Sequence, residues 1–164
     1  MSTATQLRQP AHRVSERAIA WWTIRAVIGW LVVLPPAILS LLLVGGAGVG
    51  AVVGVVALVL VAAAHVTVMP RWRYRVHRWE ATGDAVYTQA GWLTQEWRVA
   101  PMSRIQTVDT QRGPLQQLLR LATVTVTTAS AAGPLHIEGL DARLASELVG
   151  QLTATTQATP GDAT

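Results

Sequence analysis

From Ala26 to Pro70 the chain carries no Asp, Glu, Lys or Arg. No other feature restricts the fold as much. As one helix of about 45 residues the block would run roughly 67 Å at ~1.5 Å per residue, more than twice the ~30 Å hydrocarbon core of a bilayer. The glycine cluster "VGGAGVG" (44–50) lies at its middle, where a turn can form. The block therefore reads as a membrane helical hairpin over 21–70, with spans near 26–44 and 49–69. Each span is close to the ~20 residues that one crossing needs. Charged residues make up only 13% of the chain, against about 25% in soluble domains, which agrees with a membrane protein.

Arginine placement sets the orientation. Arg8, Arg13, Arg17 and Arg25 precede the hairpin, Arg71, Arg73, Arg75 and Arg78 follow it, and the turn has none. Positive charge is retained in the cytoplasm, so the expectation is a multi-pass protein of the cell membrane with both termini cytoplasmic. Trp21 and Trp22 at one foot of the hairpin and Trp72 at the other would sit at the same membrane interface. The "AAA" at 62–64 imitates a cleavage site, yet it follows two apolar runs, so a removed signal peptide is not expected. Inside the spans, Pro35 and Pro36 remove two helix donors and predict a fixed kink. Gly46, Gly50 and Gly54 make small-xxx-small steps that let the two helices pack closely. His65, about a turn from the cytoplasmic foot, can reach headgroup water and reads as structural.

All 13 basic residues are Arg, so the pI near 11 reflects the choice of base more than an excess of charge; the net charge is only +4. That is weak support for nucleic-acid binding, and no nucleic-acid partner is expected. With no cysteine, disulfides, thiolate catalysis and cysteine-based metal sites are excluded.

After Pro70 the period shortens. Arg71, Arg73, Arg75 and His77 alternate with Trp72, Tyr74 and Val76, which predicts a half-buried strand with one basic face, broken at Arg78 and Trp79. This strand would open a cytoplasmic domain over 71–152. "ATGD" (81–84) reads as a turn, and "AVYTQAG" with "WLTQEWRVA" as a hairpin joined near Gly91. "PMSRIQTVDT" is a further strand. "GPLQQLLRLA" supplies a short helical turn, followed by the strands "ATVTVTT" and "PLHIEGL". Asp141 can cap a last helix with an apolar stripe of Leu144, Ala145, Leu148, Val149 and Leu152. Residues 1–20 read as a polar segment and 153–164 as a disordered tail.

The pattern "YRVHRWEATGDAVYTQAGWLTQEWRVAPMSRIQTVDTQRGPLQQLLRLATVTVTT", with "IEGLDARLASELVGQL" further on, resembles the bacterial PH-like "membrane-flanked" domain proteins. The match covers roughly 73–152. Its most specific part is the spacing of Arg104, Ile105 and Gln106 with Gly113, Pro114, Leu115 and Gln116. The resemblance implies an α+β PH-like domain, a bent antiparallel sheet or partly open barrel capped by one C-terminal helix. It also implies that some members pair with a larger protein carrying several such domains, and that a few are linked to resistance against membrane-active antimicrobials. Arg120 departs from the pattern, standing where Gly is common; if the backbone there needs positive φ, Arg adopts it at some cost.

Two functions follow as expectations. The first is a non-enzymatic scaffold or binding module that assembles with another membrane protein, whether a larger multi-PH-like partner or a second copy, in envelope stress or antimicrobial resistance. The alternative is recognition of anionic lipid by the basic strand, through Arg71, Trp72, Arg73, Arg75 and Arg78. Each Arg near an anionic surface contributes about 1 kcal/mol, but two inserted helices already anchor the chain. Catalysis is not expected: the four His are dispersed, and His136 with Glu138 reads as a solvated pair on one strand face. No catalytic, cofactor or metal site is expected.

Overall fold

The computed structural model describes residues 9–45, 48–130 and 133–158. Helix α1 (Arg17–Gly45) and helix α2 (Val49–Val76) form the hairpin, and both are long and apolar enough to cross a membrane. Leu43, Val44 and Val49 near the turn are 76%, 91% and 82% exposed, as side chains facing lipid must be. Helix α1 is continuous through Pro35 and Pro36. Of the three expected packing glycines, Gly54 is at a helix contact, where an added Cβ would stand 3.3 Å from Leu41 Cδ2. Gly50, in the first turn of α2, faces open space, and Gly46 lies outside the described residues.

Among the described residues seven antiparallel strands form two sheets, one strand ahead of the hairpin and six after it. The first is β1 (His12–Arg13), β2 (Arg78–Ala81), β3 (Ala85–Gly91) and β4 (Gln95–Pro101), in that order; the second is β5 (Ile105–Gln111), β6 (Leu121–Thr128) and β7 (Leu135–Asp141). A short helix α3 (Pro114–Leu118) joins β5 to β6, and helix α4 (Ala142–Ala158) closes the chain against the second sheet. This is the helical hairpin followed by a PH-like domain that the sequence led us to expect.

The junction differs from expectation in three ways. Residues 71–76 are helix, not strand: α2 runs past Pro70 to Val76 and ends at His77, whose amide donates to the Arg73 carbonyl (2.8 Å). A seven-residue alternation fits a strand, but here Tyr74 packs against the core and Val76 is buried, so tertiary contact holds the helix together. Second, the N-terminal segment enters the sheet. His12 pairs with Trp79 and Arg13 with Arg78, and the Ala11 amide donates to Glu80 Oε2 (3.0 Å). The membrane hairpin is therefore inserted between two neighbouring strands of one sheet. Third, Trp21 and Trp22 are not at a lipid interface. They are 7% and 1% exposed and lie in the domain core with Val14, Ala18, Val86, Leu121 and Leu140. Burying a whole indole removes more apolar surface from water than resting it among headgroups.

Gly139 of β7 makes that docking possible. Its φ is +76°, and a Cβ there would stand 2.7 Å from the Ala18 Cβ; its carbonyl accepts the Ser15 amide (2.9 Å). Two residues on, at the end of β7, Asp141 caps α4 as expected, its Oδ1 accepting the Arg143 amide (3.0 Å). Ala145, Leu148 and Leu152 form the buried stripe, while Leu144 is exposed. The helix continues beyond 152, so 153–158 are not a disordered tail. The hydroxyls of Thr153 and Thr155 donate back to the carbonyls of Val149 and Gln151, which gives these polar residues a helical place. Residues 159–164 lie outside the described residues.

Candidate functional site

The end of α2, the turn between β3 and β4, and the start of β7 meet below the membrane hairpin. The residues expected to form one basic face are dispersed there by the helix. At ~100° per residue, Arg71 and Arg75 lie about 40° apart and Arg73 roughly opposite them. Arg71 and Arg75 are exposed, and Arg71 Nη1 donates to the Thr67 carbonyl (2.6 Å). Trp72 is 46% exposed, and its indole donates to the Trp92 carbonyl in the β3–β4 turn (3.0 Å). Arg73 turns inward: its guanidinium stacks over Trp22, 4.9 Å from the ring centre, and Nη2 donates to Glu138 Oε2 of β7 (3.1 Å). Arg78 is a half-buried member of β2, opposite Arg13 and Gln89.

A cleft of about 260 Å³ opens beside Arg73, lined by His77, Glu96, Arg98, His136 and Glu138 among others. Its charges are largely used within the fold. Arg73 binds Glu138, and Arg98 spans to the carbonyls of Gly133 and Pro134 ahead of β7 (2.9 Å to Gly133). Glu138 is thus an ion-pair partner of α2, and His136 Nδ1 meets the Thr125 hydroxyl instead (3.1 Å). His77 is buried. Its Nδ1 bonds the Arg73 carbonyl (2.9 Å), and its ring lies 5.0 Å from Trp22. Burial, and then the Arg73 charge, push its pKa below the usual imidazole value, so the ring is held neutral. Among the described residues no three His, Asp or Glu side chains converge as metal ligands. The cleft ties the first sheet, the second sheet and the membrane helix together through charge-assisted hydrogen bonds.

The motif residues build a corner. Arg104 accepts the Ala129 amide at its carbonyl (3.1 Å), Ile105 is buried, and Gln106 falls in the register shift between Ile105 and Thr107. Pro114 opens α3, where its missing N–H costs nothing. Leu115 packs on the core, and buried Gln116 accepts the Gly113 amide (3.0 Å) while donating to the Thr123 hydroxyl (2.9 Å). Arg120 does take a positive φ of 56°, and its carbonyl accepts the Ala142 amide at the head of α4 (2.9 Å). The most specific motif of the sequence is therefore architectural.

Sequence reasoning missed the roles of Arg73, His77 and Arg98, because it placed Arg73 and His77 on the same face of a strand. Leu93, Trp97 and Val99 share one face of the hairpin in the sequence, and the structure leaves Trp97 and Val99 41% and 48% exposed on β4, the last strand of the first sheet, an exposure that alternation alone does not predict.

Residues 24–156 match the sequence family described as bacterial PH domain. The chain is also similar to the UPF0699 transmembrane protein YdbS of Bacillus subtilis (strain 168). The two are 31% identical over 126 residues, which cover 74% of this chain and 79% of that one. No solved structure matches.

Proposed function

Because this chain belongs to the bacterial PH domain family, we propose that it is a non-enzymatic scaffold module that binds another membrane protein through the free edge of its first sheet. The observation that carries this is β4. Among the described residues it is the last strand of its sheet, and it presents Trp97 and Val99 to solvent. An unpaired edge with apolar side chains is the surface that strand addition uses, with backbone hydrogen bonds for affinity and alternate side chains for specificity. The mounting suits the task, since a domain cored by its own membrane helix holds that edge at a fixed height. The placement is in the cell membrane with both termini cytoplasmic, which the arginines flanking the hairpin support.

The partner is a larger membrane protein with similar domains, in envelope stress or antimicrobial resistance. A photo-crosslinking residue at position 97, activated in native membranes, tests this. Adducts to a second membrane protein, lost on Val99→Glu, are the expected result. Adducts only to a second copy would replace the hetero-partner with self-assembly, and no adduct would remove the scaffold reading. The headgroup role of the arginines narrows to Arg71 and Arg75, which share the exposed side of α2 and contribute about 1 kcal/mol each toward an anionic surface. That is enough to bias orientation.

A further inference from the structure

The β3–β4 turn does not hang free in the cytoplasm. Trp92 lies on α2, its ring 5.8 Å from that of His65, and its carbonyl accepts the Trp72 indole. His65 is five residues before Pro70, about 7.5 Å up the helix axis at ~1.5 Å per residue, and inside the charge-free block. A turn that touches His65 therefore reaches bilayer depth. It is built for that environment: from Ala85 to Gln95 there is no charged residue, and Leu93 is 81% exposed at the tip. Between the tip and the two helices runs an apolar groove of about 520 Å³, lined by Trp30, Val61, Ala64, His65, Val68 and Trp92.

His65 presents to this groove a polar atom with no hydrogen bond among the described residues. The Trp30 indole donates to His65 Nδ1 (3.0 Å). An indole N–H can only donate, so Nδ1 accepts, and the neutral ring must carry its proton on Nε2. That N–H has no hydrogen bond among the described residues and stands in apolar surroundings, where an unmatched donor is costly. We propose that the groove holds one glycerophospholipid of the cytoplasmic leaflet. An acyl chain lies along Val61, Ala64 and Val68 under Trp92, and an ester or phosphate oxygen accepts from His65 Nε2. The volume suits a segment of acyl chain, and the groove is continuous with the lipid-facing surface of α2. This proposal goes beyond the β4 edge and rests only on the hairpin crossing the bilayer.

The test uses full-length protein in two arms. Native mass spectrometry after extraction from membranes of phosphatidylethanolamine and phosphatidylglycerol should show one retained phospholipid per chain. His65→Phe, which keeps a ring but removes the donor, should lower the retained fraction about threefold to tenfold, as one hydrogen bond allows. Ala64→Trp, which fills the groove, should abolish retention. In the second arm, the absence of native cysteine permits a single fluorophore at Leu93→Cys in nanodiscs. It should be quenched by a shallow lipid-borne spin label and shielded from iodide, with the reverse pattern at Asp84→Cys. Equal retention in wild type and both variants, no retained lipid at all, or a protein segment in the groove would each overturn the proposal. So would iodide access at position 93 equal to that at 84, a result that does not depend on the groove variants folding. Failure of the membrane reading would look different, since the chain would then be soluble without detergent.

Discussion

Two residues on the same side of the Ramachandran map have opposite consequences. Arg120 holds φ at +56° with a Cβ, while Gly139 holds +76° without one and with Ala18 pressed against it. Left-handed backbone costs a non-glycine residue about 1–2 kcal/mol. Arg120→Gly is therefore expected to raise the melting temperature in detergent by a few degrees, and an unchanged or lower value would show that the Arg side chain compensates. Gly139→Ala combines that strain with overpacking, and its expected cost is about 2–4 kcal/mol by thermal unfolding. The departure at Arg120 was legible in the sequence; the close approach at Gly139 was not, because Ala18 is remote in the chain and only the fold brings it near. His77 gives a pH dependence. Its pKa is lowered in the folded state, chiefly by burial, so the unfolded chain binds the proton more readily. The stabilisation is full above the unfolded value of about 6.5 and is lost as pH falls through the lowered folded value. A melting curve taken downward from neutral pH should fall over that window in wild type and fall less in His77→Gln.

At the scale of elements, strands β3, β6 and β7 could be read directly, since alternating apolar residues with turn residues at their ends leave few other solutions. The stretch 71–77 could not. Its alternation is short enough to suit either period, and the decision came from Trp22 and Glu138, which capture Arg73 from a helix. The last turns of α4 were hidden because Thr-rich sequence has low helix propensity. The two-residue strand β1 was equally hidden, although it covers the outer edge of β2. Deleting residues up to 14 removes this cover and the buried Val14. The expected result is protease cleavage within the β2 region at concentrations that leave the intact protein whole, and equal resistance would make β1 incidental.

For the whole molecule, anchor and domain are one folding unit. Trp21 and Trp22 come from α1 yet sit in the domain core. Removing a buried Trp typically costs about 3–5 kcal/mol, so losing both approaches the ~5–15 kcal/mol that stabilises a domain. An excised fragment 78–158 is accordingly expected to lack a sharp unfolding transition, and a cooperative melt in that fragment would separate the domain from its anchor. The division at the membrane boundary suggested by composition is real for polarity but not for packing. Charge-free runs report what enters lipid; they do not report which aromatic side chains cross the boundary.

The insertion of the hairpin between β1 and β2 has a consequence for biosynthesis. When His12 leaves the ribosome, its partner Trp79 has not been made, and both membrane helices must be synthesised in between. The first strand must wait at the membrane surface while the insertion machinery places α1 and α2, and the sheet closes only when both helix ends return to the same side. A hairpin threaded the wrong way round would strand β1 from β2, leaving an unfinished edge for quality-control proteases to recognise.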